Sequence, residues 1–403
     1  VVAIGEEELP GLELLMAQGK RNGVPGMRLI DGTEMREREP LINPLVSGAL
    51  WASSGGVCDP FQITIAAAEN ALMNGAELLL ETAFEDFLFD GEQIIGVRTN
   101  RGDYYSRWVV NAAGIYSDAV MHKAGVRPEF QIKARRGEYL IVDRAETRIH
   151  NVLFPVPTDR GKGILVTGTL HENTIIGPNA NVIDDKEDTS VTQAGMEEVW
   201  QGALKLVPSM QIRQVIATFA GLRPMGNGPC RDAAIGYNQD FIIEIPSTPR
   251  GLVNLGGIES PGLTAAPAIA EEVVAVLRDA GEELKPKKDW NPIRPGRPVF
   301  RHLSHAEREA LTRKDPAYAR IVCRCEEVTE GEILAEMRSL IPPRTYDALK
   351  RRTWLGTGRC QGGFDMPRVV DLLSSQYGLS PLAVSKRGEG SEFLLRATKD
   401  WEG

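Results

Sequence analysis

Two rhythms of apolar and polar positions run along this chain. Asp59-Pro60-Phe61-Gln62 opens a helix-period stretch: Asp59 can cap, Pro60 suits the first helical position, and Gln62 can complete a capping box. Ile63, Ala67, Ala71 and Leu72 then form one apolar face, and Gly75 stops it. A β-meander follows, with strands from Phe84 to Phe89, Gln93 to Thr99 and Tyr104 to Asn111, turning at Asp90-Gly91 and at Asn100-Arg101-Gly102. The third strand runs into Ala112-Ala113-Gly114 and a short helix to Gly125. Residues from about 129 to 184 are strand-rich, most clearly at Tyr139 to Val142 and Ile164 to Val166. Gln193 to Val207 predicts a helix that ends before Pro208. Strands are predicted at Ile212 to Phe219, Phe241 to Ile245 and Leu252 to Leu255. The last of these enters Gly256-Gly257-Ile258-Glu259-Ser260-Pro261-Gly262 and then a helix from Leu263 to about Asp279. Residues from about 280 to 320 are rich in Pro, Lys, Arg and Glu and read as a surface-wrapping linker. No internal repeat is visible.

Composition narrows the classes. The 403 residues allow two or three domains, and 42% hydrophobic with 25% charged content is ordinary for a globular chain. A net charge of −9 argues against a general nucleic-acid or anionic-membrane surface, so an anionic substrate needs a local Arg/Lys cluster. No apolar run approaches the ~20 residues of a membrane span, and no secretory signal opens the chain. Five cysteines, an odd number, fit reduced thiols in a cytosol better than a secreted disulfide scaffold. Val1-Val2-Ala3-Ile4 reads as the middle of something, which predicts a fragment of a longer protein.

Candidate chemistry sits in three places. Cys323-Arg324-Cys325, with Cys360 far downstream in a Gly-rich turn, is a ligand pattern for a soft metal or an iron–sulfur cluster. Asp365 follows Cys360 by five residues, and three readings stay open: a [2Fe-2S] cluster with a carboxylate ligand, a zinc site of three Cys and one Asp, and a degenerate metal-free module. The predicted helix–loop–helix layout puts both ligand turns at helix N-termini, which favours thiolates. The second place is the loop from Gly256 to Thr264. Its glycines let backbone approach a flat cofactor, and the helix after it offers unpaired N–H groups. A plain strand–turn–helix connection is the bland alternative. The third is Asn111-Ala112-Ala113-Gly114, whose small residues leave room for a nucleotide or simply pack a helix against a strand. Arg223 can pair with a phosphate, a carboxylate or a developing alkoxide, and Arg135 and Arg136 can add phosphate contacts. His150 and His171 are candidate bases, although a lone histidine is more often structural. Cys58 reads as structural unless its thiol is reactive, and Cys230 sits in a loop, Gly228-Pro229-Cys230-Arg231, with no evident partner.

Taken in order, Val109 to Asp118, Arg136-Gly137-Glu138-Tyr139, Gly221-Leu222-Arg223-Pro224 and Gly256 to Thr264 resemble the D-amino-acid-oxidase-type flavoprotein superfamily. With the Cys module added, the chain most resembles anaerobic-type glycerol-3-phosphate dehydrogenases, which carry a bacterioferritin-associated-ferredoxin-like [2Fe-2S] module, and the likeness runs from about Val1 to about Ser385. The resemblance implies an α/β (α+β) fold: an FAD/NAD(P)-binding Rossmann-like domain, incomplete at its N-terminus, an antiparallel-sheet substrate domain and a small helical Cys module. The implied boundaries are 1–280 for the oxidoreductase domain, 281–320 for a linker, 321–385 for the module and 386–403 for a tail. Within the first, the flavin part spans about 48–128 and 250–280 and the substrate part about 1–47 and 129–249. The family's opening βαβ unit with its G-x-G-x-x-G loop is missing here, which predicts weak FAD binding by this chain alone.

The resemblance further implies oxidation of sn-glycerol 3-phosphate to dihydroxyacetone phosphate by hydride transfer to flavin N5, with electrons passed to a quinone, a partner subunit or another acceptor. Arg223 is the implied catalytic and substrate residue, with Arg136 as a second substrate contact. Ala113, Gly114, Gly256, Gly257, Ile258, Gly262, Leu263 and Thr264 are the implied FAD contacts, and Cys323, Cys325, Cys360 and Asp365 the implied cluster ligands. A cytoplasmic location follows, with room for peripheral attachment at the inner face of a membrane. Two alternatives stay open: a flavin oxidoreductase for a 2-hydroxy acid or an amino acid, and a non-catalytic electron-transfer or metal-binding module.

Overall fold

Four antiparallel or mixed sheets carry the first two-thirds of the chain, and a helical module closes it. The computed structural model describes residues 1–126, 130–158, 161–226 and 241–399. Cys230 lies outside them.

β1 (Val2–Ile4), α1 (Leu9–Arg21), β2 (Met27–Asp31), α2 (Gly32–Arg38) and β3 (Val46–Ala52) come first, with the strands ordered β1-β3-β2. Helix α3 (Pro60–Met73) follows. Asp59 caps it, accepting from the backbone of Phe61 and Gln62. The Gln62 side chain does not complete a capping box; it donates to the carbonyl of Arg352, 2.6 Å away in the C-terminal module. The apolar face expected to be core is also uncovered. Phe61, Ile63 and Met73 are exposed, and the residue α3 buries is Glu69.

β4 (Phe84–Asp90), β5 (Gln93–Thr99) and β6 (Gly102–Tyr105) form the meander. The predicted third strand splits after Tyr105. Its second part becomes β7 (Val109–Asn111), which leaves the meander for another sheet. Helix α4 (Ser117–Lys123) comes next. Phe87, Ile94, Met121 and Leu252 lock meander, α4 and that other sheet together.

The largest sheet contains β8 (Ile132–Val142), β9 (Val152–Leu153), β10 (Leu165–Gly168), β11 (Thr174–Gly177), β12 (Asn181–Ile183) and, after helix α5 (Gln193–Leu206), β13 (Val215–Gly226). β8 is its spine, paired with β13 along one edge and with β11 and β12 along the other. β13 starts later than predicted and runs through Gly221-Leu222-Arg223-Pro224, so that motif is strand and not a turn. The main core lies between α5, this sheet and β1–β3, with Leu140, Val166, Ile176, Val199, Ala203 and Leu206 almost fully buried.

β14 (Ile242–Glu244) and β15 (Leu252–Gly256) follow, and β15 pairs in parallel with β7. Helix α6 (Gly262–Asp279) leaves the end of β15. No residue of α6 is buried, β7 is an edge strand, and Leu78, Leu79 and Leu80 are exposed. Exposure is confined to the margins of this sheet: in β15 the successive residues Leu252, Val253 and Asn254 are fully buried, so its central strand is covered on both faces, while Val110 of the edge strand β7 is open.

The 281–320 stretch is less of a linker than expected. It holds α7 (His305–Lys314), capped by a Ser304/Glu307 box. The module itself comprises β16 (Ile321–Cys323), β17 (Val328–Thr329), α8 (Glu330–Met337), α9 (Tyr346–Thr353) and α10 (Met366–Tyr377) around its own core of Ile333, Leu349, Leu355, Val369 and Leu373. The following tail is partly tied down, since Lys386 pairs with Asp347 and Phe393 packs edge-on against Tyr346. Among the described residues no helix is long and apolar enough to cross a membrane.

Candidate functional site

The parallel pair brings two of the sequence motifs to one edge. In register, Leu252, Val253 and Asn254 lie beside Val109, Val110 and Asn111. Asn111-Ala112-Ala113-Gly114 and Gly256-Gly257 thus leave the carboxyl ends of neighbouring parallel strands, where open α/β sheets hold ligands. A buried amide ladder fixes this edge: Asn111 donates to Asn254 (2.8 Å) and to the Ser117 carbonyl (2.9 Å), and Asn254 donates to Glu244 (2.9 Å). Gly114 and Gly257 take φ of 57° and 63°, which a side chain would strain. Gly114 meets nothing within 4 Å of where a Cβ would sit, so backbone is open to an approaching ligand there. Gly262, Leu263 and Thr264 form the first turn of α6; the Gly262 N–H is spent on the Glu259 carbonyl, which leaves those of Leu263 and Thr264 as the N–H groups at the helix start. Of the implied FAD contacts Ala113, Gly114, Gly256, Gly257, Ile258, Gly262, Leu263 and Thr264, Gly114 is open, whereas a Cβ on Gly256 would meet the Phe130 ring at 2.9 Å and one on Gly262 the Ile258 side chain at 2.6 Å.

β-sheet register sorts the arginines. Directly opposite residues share a face, and the pairs Arg135–Arg223, Gly137–Gly221 and Tyr139–Phe219 alternate with Arg136–Leu222 and Leu140–Thr218. The Arg223 face is open. Tyr139 and Phe219 stack there (4.8 Å, 7°), and the Arg223 guanidinium lies over Gly137, where a Cβ would come within 3.3 Å of Nη2. Arg223 donates to the Asn179 carbonyl at 2.8 Å, and burial pulls its pKa down against the opposing pull of Tyr139 and Glu259. Arg135 reaches Glu259 of the flavin-edge loop at 3.3 Å. Arg136 lies on the other face, where Glu138 and Leu140 pack toward α5 and the core, and it is tied to Asp188 (2.5 Å) and Ser190 (3.3 Å). The register puts Arg136 on the face opposite Arg223, and Arg135 is the residue that shares a face with Arg223. Each of the three keeps an unpartnered buried Nε–H, so the face and not donor availability separates them.

The two candidate histidines part company as well. His150 lines a cavity of ≈620 Å³ walled by β1, β3, β9 and β10 and by Gly55, Gly56 and Val57. His171 is buried elsewhere, packed on Trp354 (4.2 Å between rings) and 4.0 Å from Glu326. Burial, with Arg301, His302 and Arg144 nearby, pushes its pKa down to about 3, so it is neutral and belongs to the docking surface of the module. Cys58 is exposed, against the structural reading.

All four predicted ligand positions of the module come together, in two pairs. Cys323 is buried beside Asp365, and burial pushes its thiol up to about 12, with the Asp365 carboxylate adding to the shift. The Cys325 sulfur lies in hydrogen-bond contact with the thiol and backbone N–H of Cys360, and burial raises its pKa too. Gly356 N–H donates to the Cys323 sulfur at 3.4 Å. Asp365 precedes α10 without capping it; its Oδ1 accepts from the Tyr346 hydroxyl at 2.6 Å and its Oδ2 is buried without a partner. Cys325 is not at a helix start, because β17 intervenes before α8, and this corrects the expected layout. Among the described residues no group of three His, Cys, Asp or Glu side chains is already drawn together around a single-ion site. A two-iron cluster takes two ligands on each iron, and two donor pairs with one orphaned carboxylate oxygen fit that demand.

Sequence reasoning missed what fastens this module to the segment that follows β8. Glu326, next to Cys325, is buried between Arg301 (2.8 Å) and Arg144 (3.3 Å), and Arg144 also donates to the Cys325 carbonyl. Burial still outweighs both arginines and raises the Glu326 pKa. Arg359 forks onto Asp143 at 2.9 and 3.0 Å. These partners lie far apart in sequence and leave no local signal.

Comparison with known proteins agrees with this geometry. Residues 1–276 match the family model described as FAD dependent oxidoreductase, and residues 321–374 match the BFD-like [2Fe-2S] binding domain. A glycerol 3-phosphate dehydrogenase of Caloramator mitchellensis is 37% identical over 99% of this chain and 81% of its own length. A glycerol 3-phosphate oxidase of Mycoplasma genitalium is 30% identical, covering 72% of this chain and 74% of its own. Among solved structures, the dithionite-reduced L-alpha-glycerophosphate oxidase of Mycoplasma pneumoniae with FAD bound superimposes with a TM-score of 0.64 at 31% identity, over 72% of this chain and 74% of that one. With the flavin edge, the arginine-bearing sheet and the paired cysteines following one another along it, the chain belongs to the FAD dependent oxidoreductase family and carries a BFD-like module at its C-terminal side.

Proposed function

We propose that this protein is an FAD-dependent dehydrogenase that oxidises the secondary alcohol of sn-glycerol 3-phosphate to dihydroxyacetone phosphate. The observation that carries the reading is the Arg223–Arg135 face, because Arg135 is joined through Glu259 to the loop at the flavin edge. A phosphate-bearing substrate gains charge-assisted hydrogen bonds from Arg223, and Arg135 adds positive field beside it. The flat Tyr139–Phe219 pair gives the carbon skeleton an apolar wall. When bound, FAD supplies the acceptor for the hydride lost by the alcohol carbon. Ala113, Gly114, Gly256, Gly257, Ile258 and the first turn of α6 hold its flavin end, and the α6 N-terminus favours negative charge there. Electrons then leave for a quinone or a partner subunit, with the protein at the inner face of the membrane.

An anaerobic visible spectrum of the full-length protein, before and after adding glycerol 3-phosphate, tests the reading. Flavin bands that bleach with this substrate support it. A flavin that responds only to a 2-hydroxy acid or an amino acid moves the assignment within the family. A colourless protein overturns it in favour of a non-catalytic module.

A further inference from the structure

Asp365 is a buried carboxylate of the module without an ion pair among the described residues, although the Lys350 ammonium feels its charge. Glu326 has Arg144 and Arg301, Glu330 has Arg320 and Arg368, and Glu336 has Arg297 and Arg352. Asp365, 1% exposed, has no ion pair among the described residues. It stands at the start of α10 but does not cap it. Its Oδ1 accepts from Tyr346, its Oδ2 is buried without a hydrogen-bond partner, and the Cys323 thiol lies near the carboxylate. A buried acceptor left without a partner costs on the order of 1–3 kcal/mol, more for a charged group. A metal ion would satisfy it.

Tyr346 is placed to choose which oxygen remains free. Gly356 and Gly362, one on each side of Cys360, both take positive φ (68° and 88°). A Cβ on either would come within 2.2 or 2.3 Å of the Tyr346 hydroxyl oxygen, so the phenol is lodged between the two turns. Its ring is held edge-on by Phe393. A phenol locked in this position donates to one carboxylate oxygen and leaves the other without a hydrogen bond.

We propose that Asp365 is an oxygen ligand of the cluster, bound through Oδ2 beside the three thiolates of Cys323, Cys325 and Cys360, and that Tyr346 is the positioning residue that orients it. The site is then a three-sulfur, one-oxygen variant of a four-thiolate [2Fe-2S] centre. This rests on the module holding a cluster at all, which is separate from the flavin reaction. A hard oxygen donor on one iron weakens charge transfer from the ligand set and makes that iron easier to lose than a fourth thiolate would.

The test is anaerobic reconstitution of the full-length protein with ferrous iron and sulfide, for the wild type and for Asp365→Cys, Asp365→Asn and Tyr346→Phe. Bound iron and sulfide, the visible spectrum, the electron paramagnetic resonance of the dithionite-reduced form and the rate of cluster loss to a chelator are read. Wild type should load. Asp365→Cys should move the visible bands to longer wavelength and slow cluster loss. Asp365→Asn, which keeps shape and the Tyr346 contact, should lose the cluster. Tyr346→Phe should keep the cluster, shift its resonance and release iron about 10–100-fold faster. The proposal is overturned if Asp365→Asn matches wild type in spectrum and loss rate, if only Asp365→Cys loads, or if neither does. An unchanged Tyr346→Phe spectrum removes the positioning role. Flavin bleaching by glycerol 3-phosphate in the same samples reports the dehydrogenase reading independently.

Discussion

The indole N–H of Trp354 donates to Oδ2 of Asp59 across 2.6 Å, while Oδ1 of the same carboxylate caps α3. One acidic side chain thus ends a flavin-side helix and anchors the cysteine module. Trp354 adopts φ of 63°, a left-handed conformation that costs a non-glycine residue about 1–2 kcal/mol. The Asp59 bond and the His171 ring contact offset that cost. Two residues further on, Gly356 donates to the Cys323 sulfur, so a chain of contacts runs from α3 to the ligand set.

Trp354→Phe keeps the ring and removes the bond to a carboxylate, a loss of about 1.5–3 kcal/mol. The expected result is a lower thermal midpoint and faster proteolytic cutting of the 282–299 stretch, with flavin-side chemistry retained. Combining it with Asp59→Ala should cost less than the sum of the two, because they share one bond. Additive losses in a double-mutant cycle would show that the bond contributes nothing.

Glu69 draws together three segments. It accepts from Arg294 (2.5 Å), Arg297 (3.2 Å) and Arg352 (3.3 Å), and Glu336 balances the latter two. Burial alone would raise its pKa, but the arginines together hold it below the ordinary carboxylate value. Glu69→Ala leaves buried guanidinium charge uncompensated and should cost about 3–5 kcal/mol in urea unfolding. A depressed carboxylate stabilises above its unfolded pKa and loses that contribution as pH falls through the folded one, so the wild type should weaken below its ordinary carboxylate range and the variant should not share that loss.

His171 predicts a second acid-sensitive window. It is held neutral against Trp354, with Glu326, Arg144, Arg301 and His302 around it, and its pKa falls from 6.5 to about 3. Between those values the unfolded chain binds the proton and the folded one does not, so stability decreases as pH is lowered from 6.5 toward 3. His171→Phe should flatten this limb in thermal melts taken across that range. A wild type and variant with parallel pH profiles would refute the assignment.

Arg223→Lys should lower kcat/KM for glycerol 3-phosphate by about 10–100-fold, as expected for losing roughly 1.5–3 kcal/mol of charge-assisted bonding. Arg136→Gln should leave kcat/KM near wild type and instead lower stability, because its partners are Asp188 and Ser190. Steady-state kinetics beside urea unfolding separate the two. A kinetic loss in Arg136→Gln alone would reverse the face assignment.

Local chemistry in the chain itself was enough for the elements that depend on nearest neighbours. The Asp59-Pro60 helix start and the α5 span from Gln193 follow from caps and 3.6-residue periodicity, and the flavin-edge loop and the cysteine spacing are legible as short motifs. Tertiary structure decided which side of a strand matters. Arg135 and Arg136 are neighbours in sequence, and only the pairing of β8 with the distant β13 puts the first on the open Arg223 face and turns the second toward α5. The break of the third meander strand at Ser106 was equally hidden, because β7 finds its partner in β15. So was the burial of Glu69 on a helix whose apolar residues stay exposed, since its three arginines come from distant segments. Asp365 is visible in the sequence as a missing cysteine, but its unpaired oxygen is not, because that depends on where Tyr346 stands across the module core. Periodicity records what each residue prefers beside its neighbours, whereas register and long-range charge pairing are set by the whole chain closing on itself.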